Sequence, residues 1–210
     1  MSGLSVLADH DDVIAVYPEG TMSPFHRVRW GTGSSEDPKT DDVRFVSDLL
    51  NHLQATLCID ERRIYATGFS NGGGMTGVLA CALSGRIAAF APVSGSFFVS
   101  LPGGCHPSRP VPILDIHGTD DEKVPYTGDP RQGLPPIQQW LQNWATRDGC
   151  HRGPTVFLTQ ANVVGEQWSA CQENVTVIHY RVIGGRHAWP STTLQASTVI
   201  WQFFQRNPLP

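Results

Sequence analysis

Gly68-Phe69-Ser70-Asn71-Gly72 fits G-x-S-x-G, the spacing that sets a serine on a sharp turn between a strand and a helix. The β-rich run Ile64 to Phe69 precedes it and Met75 to Leu83 reads as a helix after it, so the pentapeptide has the context the motif requires. A serine in that turn needs small residues two before and two after, which Gly68 and Gly72 supply. The turn would lift the Ser70 hydroxyl above the sheet and aim the backbone N–H of Asn71 at a developing oxyanion. A hydroxyl is a poor nucleophile near neutral pH, so an imidazole must take its proton and a carboxylate must orient the imidazole.

On doubly wound sheets these groups follow in the order Ser, acid, His. The strand Ile113 to His117 ends in Gly118-Thr119-Asp120-Asp121, with two carboxylates just past its C-terminal edge, where ligands of such sheets sit. We assign Asp121 as the acid; spacing alone equally admits Asp120. Asp115, in mid-strand, reads as a structural hydrogen-bonding group, and His117 as a residue that holds a loop. The run Thr176 to Ile183 leads into Gly184-Gly185-Arg186-His187-Ala188-Trp189-Pro190, and His187, past the last strand, is assigned as the general base. Trp30 and Trp189 are candidates for an aromatic wall of the binding site. No metal or organic cofactor is implied.

The elements that must position these groups alternate between short apolar runs and helical stretches. Val13 to Tyr17 reads as a buried strand closed by Pro18-Glu19-Gly20, followed by a polar loop from Thr21 to Lys39 carrying Trp30. Thr40 is expected to cap a helix from Asp41 to about Thr56, in which Val43, Val46, Leu49, Leu50 and Leu53 recur at helical spacing. Ala88 to Ser94 reads as a further strand, Trp140 to Ala145 lies in a helix, and Leu194 to Arg206 closes the chain as another. Strands alternating with helices imply a parallel sheet covered on both faces, in one domain spanning residues 1–210.

Composition narrows the function classes. With 15 Lys+Arg against 19 Asp+Glu, a net charge of −4 and no basic run, the chain offers no cationic stripe for nucleic acid. No apolar stretch is long enough to span a membrane. The five cysteines include no CxxC pair, and an odd number leaves one thiol over. Nearness in sequence suggests the pairs Cys81 with Cys105 and Cys150 with Cys171. Asn174-Val175-Thr176 is a glycosylation sequon, relevant only to an exported chain, and no signal peptide opens the sequence.

These motifs, together with Ser2-Gly3-Leu4-Ser5, Val16-Tyr17-Pro18-Glu19-Gly20, Asp41-Asp42-Val43, Val124-Pro125-Tyr126 and Trp144-Ala145-Thr146-Arg147-Asp148-Gly149-Cys150, make the chain resemble the polyhydroxybutyrate depolymerase and feruloyl esterase family, the secreted fungal feruloyl esterases in particular. The resemblance runs from about Ser2 to about Phe204. It implies an α/β-hydrolase fold with a mostly parallel doubly wound sheet, a nucleophile at Ser70, an acid at Asp121 and a base at His187. It also implies release of hydroxycinnamic acids, chiefly ferulate, from arabinoxylan or pectin of plant cell walls by an extracellular enzyme, expected to be a monomer. Polyhydroxybutyrate depolymerase, acetylxylan esterase and a non-catalytic carbohydrate-binding relative are the alternatives. The family begins earlier, with opening strands and a His-Gly turn that supplies a second oxyanion donor, so the sequence is expected to be truncated before Met1. The partner of the unpaired cysteine is expected in that segment. Arg186 stands where the family usually has Gly, which bears on the geometry of the His187 turn.

Overall fold

A strand that is apolar on both faces needs cover on both faces, and two strands of this protein have it along their whole length: Ala89–Val93 and Ile113–Gly118 are buried at every residue. The computed structural model describes residues 2–33, 40–99 and 104–210. In chain order its elements are α1 (Leu4–Ala8), β1 (Thr21–Met22), β2 (Val28–Arg29), α2 (Asp42–Thr56), β3 (Tyr65–Phe69), α3 (Asn71–Ala82), β4 (Ala89–Val93), β5 (Ile113–Gly118), α4 (Ile137–Arg147), β6 (Arg152–Gln160), β7 (Val163–Ser169), β8 (Val177–Val182) and α5 (Ala196–Gln205). β1 and β2 form a small antiparallel pair. The main sheet has six strands in the order β3-β4-β5-β8-β7-β6. Its first four run parallel, whereas β7 pairs antiparallel with both β8 and β6.

Successive side chains of a strand point to opposite faces, and the sheet separates two apolar clusters accordingly. Phe90 and Ile113 pack with Leu50 of α2, Leu79 of α3 and Trp144 of α4. Ala91, Leu114 and Ile116 pack on the other side with Ile200, Phe203 and Phe204 of α5. Each such large apolar side chain contributes roughly 1.5–3 kcal/mol when fully buried. Disulfides join Cys81 to Cys105 and Cys150 to Cys171, as nearness in sequence suggested, and Cys58 is a free, exposed thiol. Among the described residues no helix is long and apolar enough to cross a membrane.

Three expectations are corrected. Val13 to Tyr17 is not a strand: among the described residues no ladder partner reaches it, and Ile14, Val16 and Tyr17 are exposed. Apolar character on both faces makes a run fit for a sheet interior, but the ladder needs a neighbour. The helix cap is Asp41 and not Thr40, because the Asp41 carboxylate accepts the N–H of Arg44 while the Thr40 hydroxyl donates to Asp42. The polar loop contains the β1–β2 pair; its residues 34–39 lie outside the described ones. The sheet is mostly parallel, as expected, and the hairpin β6–β7 adds two antiparallel strands at one edge. β6 carries Gly153 and Pro154 and is exposed along most of its length, so it lacks the apolar alternation by which strands are recognised.

Candidate active site

Ser70 joins β3 to α3 with φ 56° and ψ −118°, a conformation an L-residue holds only when its surroundings impose it. They do so here through the backbone. Ser70 N–H donates to the Val93 carbonyl at 3.0 Å, and the Ser70 carbonyl accepts from Gly74 N–H at 2.9 Å and Ser96 N–H at 3.1 Å. A Cβ on Gly68 would run into the Gly72 carbonyl, so the strand can fold back this tightly only without one. A Cβ on Gly73 would lie 2.8 Å from the Cα of Gly95, and one on Gly74 would meet the Ser96 carbonyl. These glycines start α3 four residues earlier than apolar spacing suggests, at Asn71, and press its first turn onto the loop after β4. Gly72 differs, because the space beside it is open. The smallness expected two residues after the serine is therefore not a demand of this turn.

His187, on the loop beyond β8, brings Nε2 to 2.9 Å from Ser70 Oγ across 117 positions of sequence. Its Nδ1 stands 2.8 Å and 3.0 Å from the two oxygens of Asp121, on the loop beyond β5. An ionised carboxylate can only accept, so Nδ1 carries the proton and Nε2 presents its lone pair to the serine hydroxyl. The Asp121 and His187 loops are stitched together. Asp120 N–H donates to the Gly185 carbonyl at 2.9 Å, and Gly184 N–H donates to the Thr119 hydroxyl at 2.8 Å. A Cβ on Gly118 would collide with Gly185, which fixes how closely the loops pass. Arg186 is exposed and the left-handed residue of the turn is Gly184, φ 70°, so an arginine before His187 leaves the turn undisturbed. Phe69 packs its ring 4.7 Å from the imidazole.

Asp121 is buried and Asp120 exposed, which separates the two carboxylates that spacing left open. Burial alone would raise the Asp121 carboxyl. Hydrogen bonds from His117, His187 and the N–H groups of Val124 and Lys123 outweigh it and hold the group far below the usual carboxylate range. His117 holds the loop, as expected: its Nε2–H donates to the Val124 carbonyl at 2.9 Å and lies 3.4 Å from Asp121 Oδ2. Burial lowers the His117 pKa, but Asp121, Asp115 and the Val124 carbonyl together carry it above the ordinary value.

Behind this loop the same sheet face carries polar groups that the motifs did not reveal. Asp115 Oδ2 lies 2.9 Å from His179 Nδ1, outside hydrogen-bonding alignment, with both side chains fully buried. His179 Nε2 meets the Tyr126 hydroxyl at 2.9 Å, and burial pushes that phenol up to about 12. The available signal was the period of two: His179 stands one inward position from buried Val177.

Asn71 contributes more than its expected backbone N–H. Its side-chain oxygen accepts Trp30 N–H at 2.7 Å, and its amide donates to the Trp30 carbonyl at 3.1 Å, pinning the β2 segment beside Ser70. The Trp30 ring itself packs near Phe45, 6.1 Å between centroids, and against the core. Trp189 packs with the α5 cluster and donates to Ser197 Oγ at 3.1 Å. Neither indole lines the cleft above Ser70, so the expected aromatic wall is not made by them. That cleft, about 680 Å³, is bounded by Ser70, Asn71, Phe98, Val99 and Leu134, with Arg27, Arg29, Lys123 and Arg131 among its polar lining.

Residues 27–131 match the family model described as Phospholipase/Carboxylesterase. Feruloyl esterase B of Piromyces equi is 31% identical over 210 residues, covering 96% of this chain and 38% of that protein. A bifunctional acetylxylan esterase/xylanase of Neocallimastix patriciarum is 30% identical over 207 residues, covering 94% of this chain and 27% of its own. Feruloyl esterase C of Emericella nidulans is 31% identical over 171 residues, with 78% and 57% covered. The chain thus spans well under two thirds of the length of these relatives. Among solved structures, SOBER1 of Arabidopsis thaliana superimposes with a TM-score of 0.61 at 16% identity, covering 97% of this chain and 90% of that one. Acetyl xylan esterase from Aspergillus awamori gives 0.59 at 13% identity, covering 86% and 74%.

Proposed function

The chain belongs to the phospholipase/carboxylesterase family and has the α/β-hydrolase fold, and on that footing we propose that it is a serine esterase releasing ferulic and related hydroxycinnamic acids from plant cell-wall polysaccharides. The observation that carries the catalytic part is the unbroken relay Ser70 Oγ, His187 Nε2, His187 Nδ1, Asp121, with contacts of 2.9 Å and 2.8 Å. The Ser70 hydroxyl attacks the ester carbonyl carbon as its proton passes to His187 Nε2. Asp121 keeps the proton on Nδ1 and stabilises the imidazolium. The backbone N–H of Asn71, first residue of α3, donates to the tetrahedral oxyanion, a contribution typically worth ~10²–10³ in rate. The C–O bond to the alcohol breaks as His187 returns the proton to the leaving oxygen. Water, deprotonated by His187 Nε2, then attacks the acyl carbon, and the acyl–Ser70 bond breaks as His187 returns the proton to Ser70 Oγ, releasing the acid.

The acyl group is inferred from the relatives named feruloyl esterase B and C. Acetylated xylan is the second reading, favoured by the relative named acetylxylan esterase/xylanase. Two disulfides favour an oxidising compartment and hence an exported protein. Hydrolysis of methyl ferulate and of acetylated xylan by the purified chain, with labelling by a fluorophosphonate, tests the proposal. Wild type should react with the probe and cleave methyl ferulate, and Ser70→Ala should do neither. Full activity in Ser70→Ala overturns the assignment, and cleavage of acetylated xylan alone replaces the substrate.

A further inference from the structure

The cleft above Ser70 has a charge the rest of the chain does not. The protein carries a net −4, yet the described residues lining this cleft include four cations, Arg27, Arg29, Lys123 and Arg131, and no carboxylate. Arg29 has a bonding partner of its own. Arg27, Lys123 and Arg131 are exposed, and among the described residues no carboxylate comes within ion-pair distance of their side chains. The acids nearest in sequence, Asp121, Glu122 and Asp129, lie outside the cleft lining. Asp121 is buried against His187, Glu122 is exposed, and Asp129 accepts the backbone N–H of Arg131 and the amide of Gln132.

These cations come from separate parts of the chain, the β1–β2 pair and the loops following Asp121 and Asp129, so their convergence is a product of the fold. One exposed ion pair is worth little, but like charges around a concave, partly apolar wall focus their field into the cleft. Phe98, Val99 and Leu134 supply that wall. The combination suits a molecule with an apolar acyl part beside an anionic body. Arginine presents a planar fork that matches a carboxylate in a bidentate way.

We propose that this cleft binds the carboxylate of a uronic-acid sugar, so that the substrate is a polysaccharide ester carrying uronate close to the scissile bond. The inference rests on the reading of the site as one for cell-wall esters, and deepens it. Uronate is ionised above about pH 4, as a simple carboxyl group should be, so the attraction operates through the neutral range.

The test is binding of trigalacturonate to the Ser70→Ala chain by calorimetry, with galactotriose as the neutral control. Trigalacturonate should bind at least about tenfold tighter at about 20 mM NaCl, and most of that advantage should vanish at about 500 mM. It should also vanish in Arg27→Gln/Arg131→Gln, whose side chains are exposed, and persist in Arg152→Gln, on β6 outside the cleft. Equal binding of the two trisaccharides, no binding of either, or an advantage indifferent to the double substitution overturns the proposal. Hydrolysis of methyl ferulate by wild type is read separately. Its absence together with selective uronate binding would refute the feruloyl reading and leave the anion site standing.

Discussion

Asp121→Asn preserves the shape of the acid while reversing one hydrogen bond. Oδ1 of Asp121 accepts the N–H groups of Lys123 at 2.9 Å and Val124 at 2.8 Å. An asparagine must keep its oxygen there, which places its NH₂ where Oδ2 now stands, 2.8 Å from His187 Nδ1. Facing a donor, Nδ1 becomes the acceptor and the ring proton moves to Nε2, 2.9 Å from Ser70 Oγ. That nitrogen then offers a proton to the nucleophile it should deprotonate. Loss of the productive tautomer costs ~10⁴ in kcat, about 5.5 kcal/mol of transition-state stabilisation. KM should change little, since the carboxylate touches no substrate. The assay is steady-state hydrolysis of methyl ferulate, with circular dichroism to show an unchanged fold. Asp120→Asn is the control, because among the described residues that exposed carboxylate bonds only the Thr119 hydroxyl, at 3.2 Å, and its loss should alter kcat less than about twofold. Retention of more than a tenth of wild-type kcat by Asp121→Asn would refute the reasoning, as would a larger loss in Asp120→Asn.

Two further predictions concern stability. Gly74→Ala should destabilise by at least about 1–3 kcal/mol, because its Cβ would meet the Ser96 carbonyl, whereas Gly72→Ala, with open space beside it, should gain up to about 1 kcal/mol from helix propensity. Urea denaturation would separate the pair, and equal effects would contradict the packing account. Burial pushes the Asp148 carboxyl up to about 7, although it accepts Val111 N–H at 2.9 Å. From the unfolded value near 3.8 up to that pH the folded state holds more protons, so the group's contribution to stability is complete below the unfolded value and is lost as pH rises through the folded one. About three units correspond to roughly 4 kcal/mol at most. Asp148→Asn should therefore gain stability over wild type at pH 8 relative to pH 5, and a difference independent of pH would exclude that origin.

Much of this was legible in local pattern. The strand, serine turn and glycine-rich helix around Ser70 are written in adjacent residues, as are the apolar stripe of α2 and the carboxylate and imidazole past the ends of β5 and β8. Other features had no local signal. The apolar alternation of β6 is absent because the strand is solvated, and Val13 to Tyr17 has strand chemistry without a partner. Trp30 and Trp189 look alike in sequence to residues that bind rings, yet both pack against the core, and nothing near Asn71 in the chain announces that its amide clamps the Trp30 backbone. The cations of the cleft are likewise scattered between Arg27 and Arg131.

What the chain determines residue by residue is whatever depends on contacts a few positions apart: which segments can be strand or helix, and where only glycine permits a turn. The identity of the three groups at the sheet's rim, and their order, belongs to that level. Their meeting does not. Asp121 and His187 are 66 positions apart and His187 and Ser70 117, and they touch because parallel β3, β4, β5 and β8 lie side by side with their C-terminal ends at one edge. That register is set by apolar burial on both faces of the sheet and by the close passage of Gly118 and Gly185, interactions summed over the whole core. The different surroundings of Asp121 and Asp120 have the same source, since burial and four donors distinguish two neighbours that spacing treats alike.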